Sequence, residues 1–186
     1  MTSTPPVRGR PSSLTSILDT ARDLLDAGTP VSFDSVAQAC GLTKPGLLYH
    51  FPTKSALMEA LVDHIVDSQE RQLAHCLDVP LDAASPRQRL SAYLRWALLT
   101  RHRRSDLVML SDPKTADRML ARWTERFHPW VHVPSGLPPQ ERARLHAARM
   151  LADGAWLSDS SATFPLAEHE RPQVLSLALE LLGEKA

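Results

Sequence analysis

A chain of 186 residues is long enough to bury a sizeable core, and it fits one medium domain or a small module fused to a larger one. Its 21 Lys and Arg against 21 Asp and Glu exclude a broadly basic nucleic-acid coat. A local binding face stays open, because a phosphate field acts over roughly a Debye length, ~8 Å at physiological salt.

Residues 1–12, rich in Pro, Ser, Thr and Arg, read as a flexible arm in which Arg8 and Arg10 are either solvated or able to touch phosphates or a minor groove. The opening "MTSTPPVRGRPSS" has no apolar signal-peptide core, and no apolar run approaches the ~18–20 residues of a membrane span. With Cys40 and Cys76 far apart, the expectation is a cytoplasmic chain with no membrane contact and with reduced thiols that act as small buried hydrophobes.

From Leu14 the apolar spacing Leu14, Ile17, Leu18, Ala21, Leu24, Leu25 predicts an amphipathic helix stopped near Gly28 and Pro30. Ser32 is placed to cap a short helix over 34–39 with Val36 and Ala37 inward, and "CGL" turns on Gly41. Thr43 then caps a helix from Lys44. Pro45 sits in its first turn, where the missing N–H had no intrahelical partner. Pro52 ends that helix after about two turns, and Thr53 caps another through Leu57, Leu61, Ile65 and Val66 to around Cys76.

Beyond Pro80, helices are predicted over 86–102, 104–110, 115–128, 139–158 and 169–183, separated by short gaps carrying Pro or Gly. No alternating strand pattern and no internal repeat is present, so the fold class is all-α, with about nine helices.

Helices at 14–27, 34–39 and 44–50, with a Gly-containing turn between the last two, have the spacing of a helix-turn-helix at about 33–52. Such a unit braces one helix across a DNA backbone while the next enters the major groove, where each base pair displays a distinct pattern. The stretch "VSFDSVAQACGLTKPGLLYHFPTKSALMEAL", Val31 to Leu61, resembles the DNA-binding domain of the TetR family of transcriptional repressors. Gly41, Leu42, Thr43, Leu47, His50, Phe51, Lys54 and Leu57 fall at the family's characteristic places.

What the resemblance implies is a DNA-binding domain at 13–60, a helical effector-binding and dimerisation domain at 61–186, and a homodimer on palindromic double-stranded DNA. It implies a DNA-binding set of Ser32, Thr43, Lys44, Pro45, Gly46, Tyr49, His50 and Lys54. Thr43 to Gly46 would meet bases and adjoining phosphates, Tyr49 and His50 the backbone or groove edge, and Lys54 a phosphate at the mouth of the next helix. Leu47 and Phe51 read as core, and His50 has a second reading as a hydrogen-bonding residue at the core edge. Leu48 stands where the family usually has Tyr, so a contact typical of the family passes to Tyr49 or is missing.

The remainder carries all four Trp. Tyr93, Trp96, Met109, Met119, Trp123, Phe127, Met150 and Trp156, with Trp130, each suit a packed core. Together, with Asp153 or Arg122, they also suit a pocket for a small apolar or aromatic effector. "VLSLALELL" is apolar over more than one helical face, which suits burial in a four-helix dimer interface.

"RHRR", Arg101 to Arg104, reads as a solvated helix end, with a second nucleic-acid patch as the alternative. His128 and His132 are four apart, but Pro129 and Pro134 argue against a shared helix face, so no metal is expected; nor is any cofactor. No nucleophile elbow, P-loop, dinucleotide fingerprint or zinc-protease motif is present, so an enzyme is not expected. The competing function is a regulator of the same fold with no small-molecule effector, controlled by a protein partner or by abundance.

Overall fold

In a computed structural model, described over residues 14–183, the chain forms α1 (Leu14–Asp26), α2 (Phe33–Cys40), α3 (Lys44–His50), α4 (Lys54–His75), α5 (Pro86–Leu99), a 3₁₀ helix (Arg104–Leu110), α6 (Ala116–Val131), α7 (Pro139–Ser161) and α8 (Arg171–Leu181). No strand occurs among the described residues. The arm expected over 1–12 lies outside them.

Local chemistry starts these helices. Ser32, Thr43, Thr53 and Ser85 are extended residues whose side-chain oxygens each accept from the backbone N–H three residues on, satisfying a donor that the helix leaves orphaned. Gly41 ends α2 at φ 66°; its N–H donates to Gln38 O at 3.2 Å and Leu42 N–H to Ala37 O at 2.9 Å. That left-handed cap is open to glycine without the Cβ penalty other residues meet.

One continuous core runs through the chain. Ile17, Leu18, Ala21 and Leu25 of α1 pack with Val36 and Ala37 of α2, Leu47 and Phe51 at α3, and Leu57, Met58 and Leu61 of α4. Farther on, α5 is the hub. It touches α4, α6, α7 and α8, and Leu90, Tyr93, Leu94, Trp96, Ala97 and Leu98 are all buried. Helix α4 is uninterrupted through residue 60 and belongs to both halves.

Several expectations are corrected. The helix begun at 86 stops at Leu99, not 102, because the buried His102 side chain turns back so that its Nε2 lies 3.2 Å from Ala97 O and 3.3 Å from Trp96 O. The stretch Arg101–Arg104 is therefore a tied connection as well as a charged surface: Arg101 pairs with Glu168 at 2.7 Å and Arg103 reaches Asp26 at 3.4 Å. Helix α6 continues through Pro129 to Val131.

The proline costs α6 only one internal N–H bond, close to its end. The Arg89 guanidinium spans the same turn, donating to Pro129 O at 3.0 Å and His132 O at 3.3 Å. His128 and His132 thus do come together, ring centroids 4.7 Å apart. No group of three or more His, Cys, Asp or Glu able to hold a metal occurs among the described residues. The free thiols Cys40 and Cys76 are half-buried rather than buried, because each sits at a helix end on the rim of the core. Burial still pushes the Cys76 thiol up, partly offset by Arg95.

Replacing Gly41 by Ala isolates the backbone requirement, since an added Cβ meets nothing within 4 Å. The expected loss is about 1–2 kcal/mol from the left-handed conformation alone, read as a lower urea midpoint with unchanged slope.

Candidate nucleic-acid interface

Helix α3 is seven residues long, about 10 Å, and too short to persist unaided. Leu47 is fully buried and Phe51 nearly so, which turns the opposite face outward. Thr43, Lys44, Pro45, Leu48, Tyr49 and His50 are all exposed, Tyr49 by 86% and Leu48 by only 37%. A Cβ at Gly46 would lie 3.2 Å from Thr43 Oγ1, the atom that accepts the Gly46 N–H, so glycine keeps the cap undisturbed and the helix tip slim. Tyr49 and His50 meet edge to face, 5.5 Å between centroids. His50 is exposed, not held at the core edge.

Ser32 is half-buried and engaged in capping: its hydroxyl accepts from Ser35 N–H at 3.0 Å and contacts Ser35 Oγ at 3.0 Å. Of the expected set, Thr43, Lys44, Pro45, Gly46, Tyr49 and His50 share α3 and its cap, while Lys54 opens α4 after the Pro52 break.

Both lysines face carboxylates that sequence reasoning missed. Lys44 Nζ is 3.0 Å from Asp34 Oδ1, with both side chains well exposed. Lys54 Nζ is 2.6 Å from Asp112 Oδ2, and the Asp112 side chain is only 14% exposed. Lys54, with the Lys114 N–H donating at 3.1 Å, holds the Asp112 carboxyl below the usual carboxylate range. Asp112 lies 58 positions from Lys54 in the chain, so no local periodicity announces the pair.

The residues expected to line an effector pocket gather in the second half, with one exception. Tyr93 stacks on Trp96 at 5.5 Å, Trp96 meets Phe127 at 6.0 Å, Phe127 stacks on Trp123 at 4.4 Å, and Trp123 stacks on Trp156 at 5.4 Å. Five rings from α5, α6 and α7 thereby form one run. Met109 and Met119 are buried in the same core. Met150 is 64% exposed on α7 and is not part of the run.

Asp153 accepts from Tyr93 Oη–H at 2.9 Å, and burial followed by that carboxylate pushes the Tyr93 phenol well above its ordinary value. Arg122 is not directed at the rings; it forks onto Asp63 with both distances 2.6 Å. Unforeseen from sequence, the indole N–H groups of Trp123 and Trp156 and both amide atoms of Gln69 are buried without a protein hydrogen-bond partner. Gln69 lies three residues before Gln72, which accepts the Trp96 indole N–H at 3.0 Å.

Residues 17–61 match the family model of bacterial regulatory proteins of the tetR family. The HTH-type transcriptional regulator EthR of Mycobacterium tuberculosis is 23% identical over 139 residues, 73% of this chain and 64% of EthR, and EthR of Mycobacterium bovis aligns with the same figures. The chain thus matches less than two thirds of the length of these curated relatives. A crystal structure of a TetR-family transcriptional regulator from Rhodococcus sp. shares the fold with TM-score 0.55 at 15% identity, over 90% of this chain and 97% of that one. Over residues 17–61 the module's geometry and its sequence pattern thus agree on a DNA-binding domain of the tetR-family type, and the chain as a whole shares the all-α fold of the Rhodococcus structure.

Proposed function

We propose that the protein is a repressor that binds a palindromic operator as a homodimer and is released by a small apolar or aromatic effector. The observation that carries the DNA-binding part is the outward face of α3, capped at Thr43 and anchored by Leu47. In this reading residues 13–60 form the DNA-binding domain and 61–186 the effector and dimerisation domain. Thr43, Lys44, Pro45 and Gly46 enter the major groove, where Lys44 pairs with guanine or phosphate and Pro45 offers apolar contact to a thymine methyl. Tyr49 and His50 reach the backbone, Lys54 takes a phosphate, and Ser32 supports the adjoining helix as its cap. Leu48, half-turned from solvent, leaves the family's usual Tyr contact to Tyr49.

Dimerisation is supported by apolar side chains left uncovered on the two last helices: Met150 and Leu157 on α7, Leu177 and Leu181 on α8. Residues seven and four apart share a helix face, and a second copy would bury these stripes in a four-helix interface. The effector part is supported by the ring run and its orphaned polar groups, because a buried donor without a partner costs about 1–3 kcal/mol that a ligand acceptor recovers. The competing reading, a regulator without an effector, is favoured by the direct stacking of the rings on one another. A cytoplasmic location accompanies either reading; no helix among the described residues is long and apolar enough to cross a membrane.

Tyr49→Ala removes an exposed ring with no burial to lose. Duplex binding measured by fluorescence anisotropy is expected to weaken by about 1–3 kcal/mol while the melting temperature holds, and unchanged binding would remove Tyr49 from the interface. Replacing both Leu157 and Leu177 by Glu places charges on the exposed stripes. Sedimentation velocity is expected to show a folded monomer with weakened operator binding, whereas a dimer of native affinity would sink the assigned interface.

A further inference from the structure

We propose that Asp112 is an intramolecular stand-in for a DNA phosphate, occupying Lys54 in the absence of duplex and so restraining DNA binding from the C-terminal half of the chain. The inference rests on the reading of α3 and the mouth of α4 as a DNA-binding surface. Lys54 is the first residue of α4, capped by Thr53, where an anion meets both the ammonium and the helix N-terminus. In the free protein the Asp112 carboxylate already pairs with that ammonium, 2.6 Å from Nζ.

Two features separate this pair from the Lys44–Asp34 contact. Asp112 is largely shielded from solvent, whereas Asp34 is 77% exposed, so the first pair is less screened and less readily dissolved. The carboxylate is also fixed in direction, with Oδ1 accepting the Lys114 N–H at 3.1 Å while Oδ2 faces Lys54.

The segment that carries Asp112 is tied to the DNA-binding module a second time. Ser105 N–H donates to Asp26 Oδ1 at 2.8 Å, and Arg22 reaches Asp106 Oδ1 and Ser105 Oγ, both at 3.2 Å. One short strap, 103–112, therefore holds α1 through part-buried hydrogen bonds and α4 through the lysine meant for phosphate. A phosphate approaching Lys54 competes with Asp112 for the ammonium, and any movement of the strap changes how available Lys54 is. That joins the C-terminal half to the DNA surface through a named pair of atoms.

The test is a double-mutant cycle on the full chain, with a generic fluorescent 30-base-pair duplex as the probe at several salt concentrations. Asp112→Asn keeps an oxygen for the Lys114 N–H and removes the charge. It is expected to tighten binding about three- to tenfold and to steepen the salt dependence by up to about one ion. Asp112→Glu, which keeps the charge and guards against a folding artefact, is expected to stay near wild type.

In a Lys54→Gln background the gain from Asp112→Asn is expected to vanish, because the coupling runs through that ammonium. An equal gain in both backgrounds overturns the proposal in favour of general electrostatics, and so does no gain in either. Failure of the wild type and of every variant to bind the duplex at low salt would instead overturn the DNA-binding reading itself.

Discussion

The burial of Leu47 and Phe51 is the constraint on which the candidate interface depends. A helix of seven residues pays the nucleation cost without enough turns to recover it, so α3 exists because the core of α1, α2 and α4 captures one of its faces. That capture also fixes its direction: with Leu47 inward, Tyr49 and the Thr43 tip face solvent. The helix breakers in the same stretch then have consistent tasks. Pro45 and Gly46 begin the helix under the Thr43 cap, and Pro52 releases the chain so that Thr53 can start α4 in a new direction.

The chain's charge balance acquires a spatial meaning in the folded protein. A total of 21 basic and 21 acidic residues hides a surface on which basic groups are matched with acids across elements. Arg118, Arg122 and Arg126 of α6 pair with Glu59, Asp63, Asp67 and Glu70 of α4. These pairs fasten α6 along α4, and α4 in turn supplies the floor of the DNA-binding module and one wall of the second half. Rigid contact between the halves therefore comes from α4 and from the strap at 103–112, rather than from a flexible linker.

How much of this was legible in the sequence follows from the range of each interaction. Caps at Ser32, Thr43 and Thr53, the left-handed turn at Gly41 and the inward stripe of α1 act over three to eight residues, and local spacing located all of them. Features decided by distant partners were not legible. His102 turning onto α5, Arg89 spanning the Pro129 turn, and Asp112 meeting Lys54 depend on elements that only the fold brings together. Residue type alone placed Met150 with the rings, but helix register puts it on the exposed side of α7. Gln69 gave no signal either, since a lone Gln at an apolar helix position has no pattern of its own.

The central claim, that two copies present α3 to a symmetric duplex, is tested most directly by selecting bound sequences from a library of random duplex DNA with the purified full chain. The account predicts enrichment of an inverted repeat whose half-sites lie one or more helical turns apart, about 34–36 Å per turn, with less DNA recovered but the same repeat enriched for Tyr49→Ala. Enrichment of no sequence, or of a single asymmetric site bound by one copy, would contradict it.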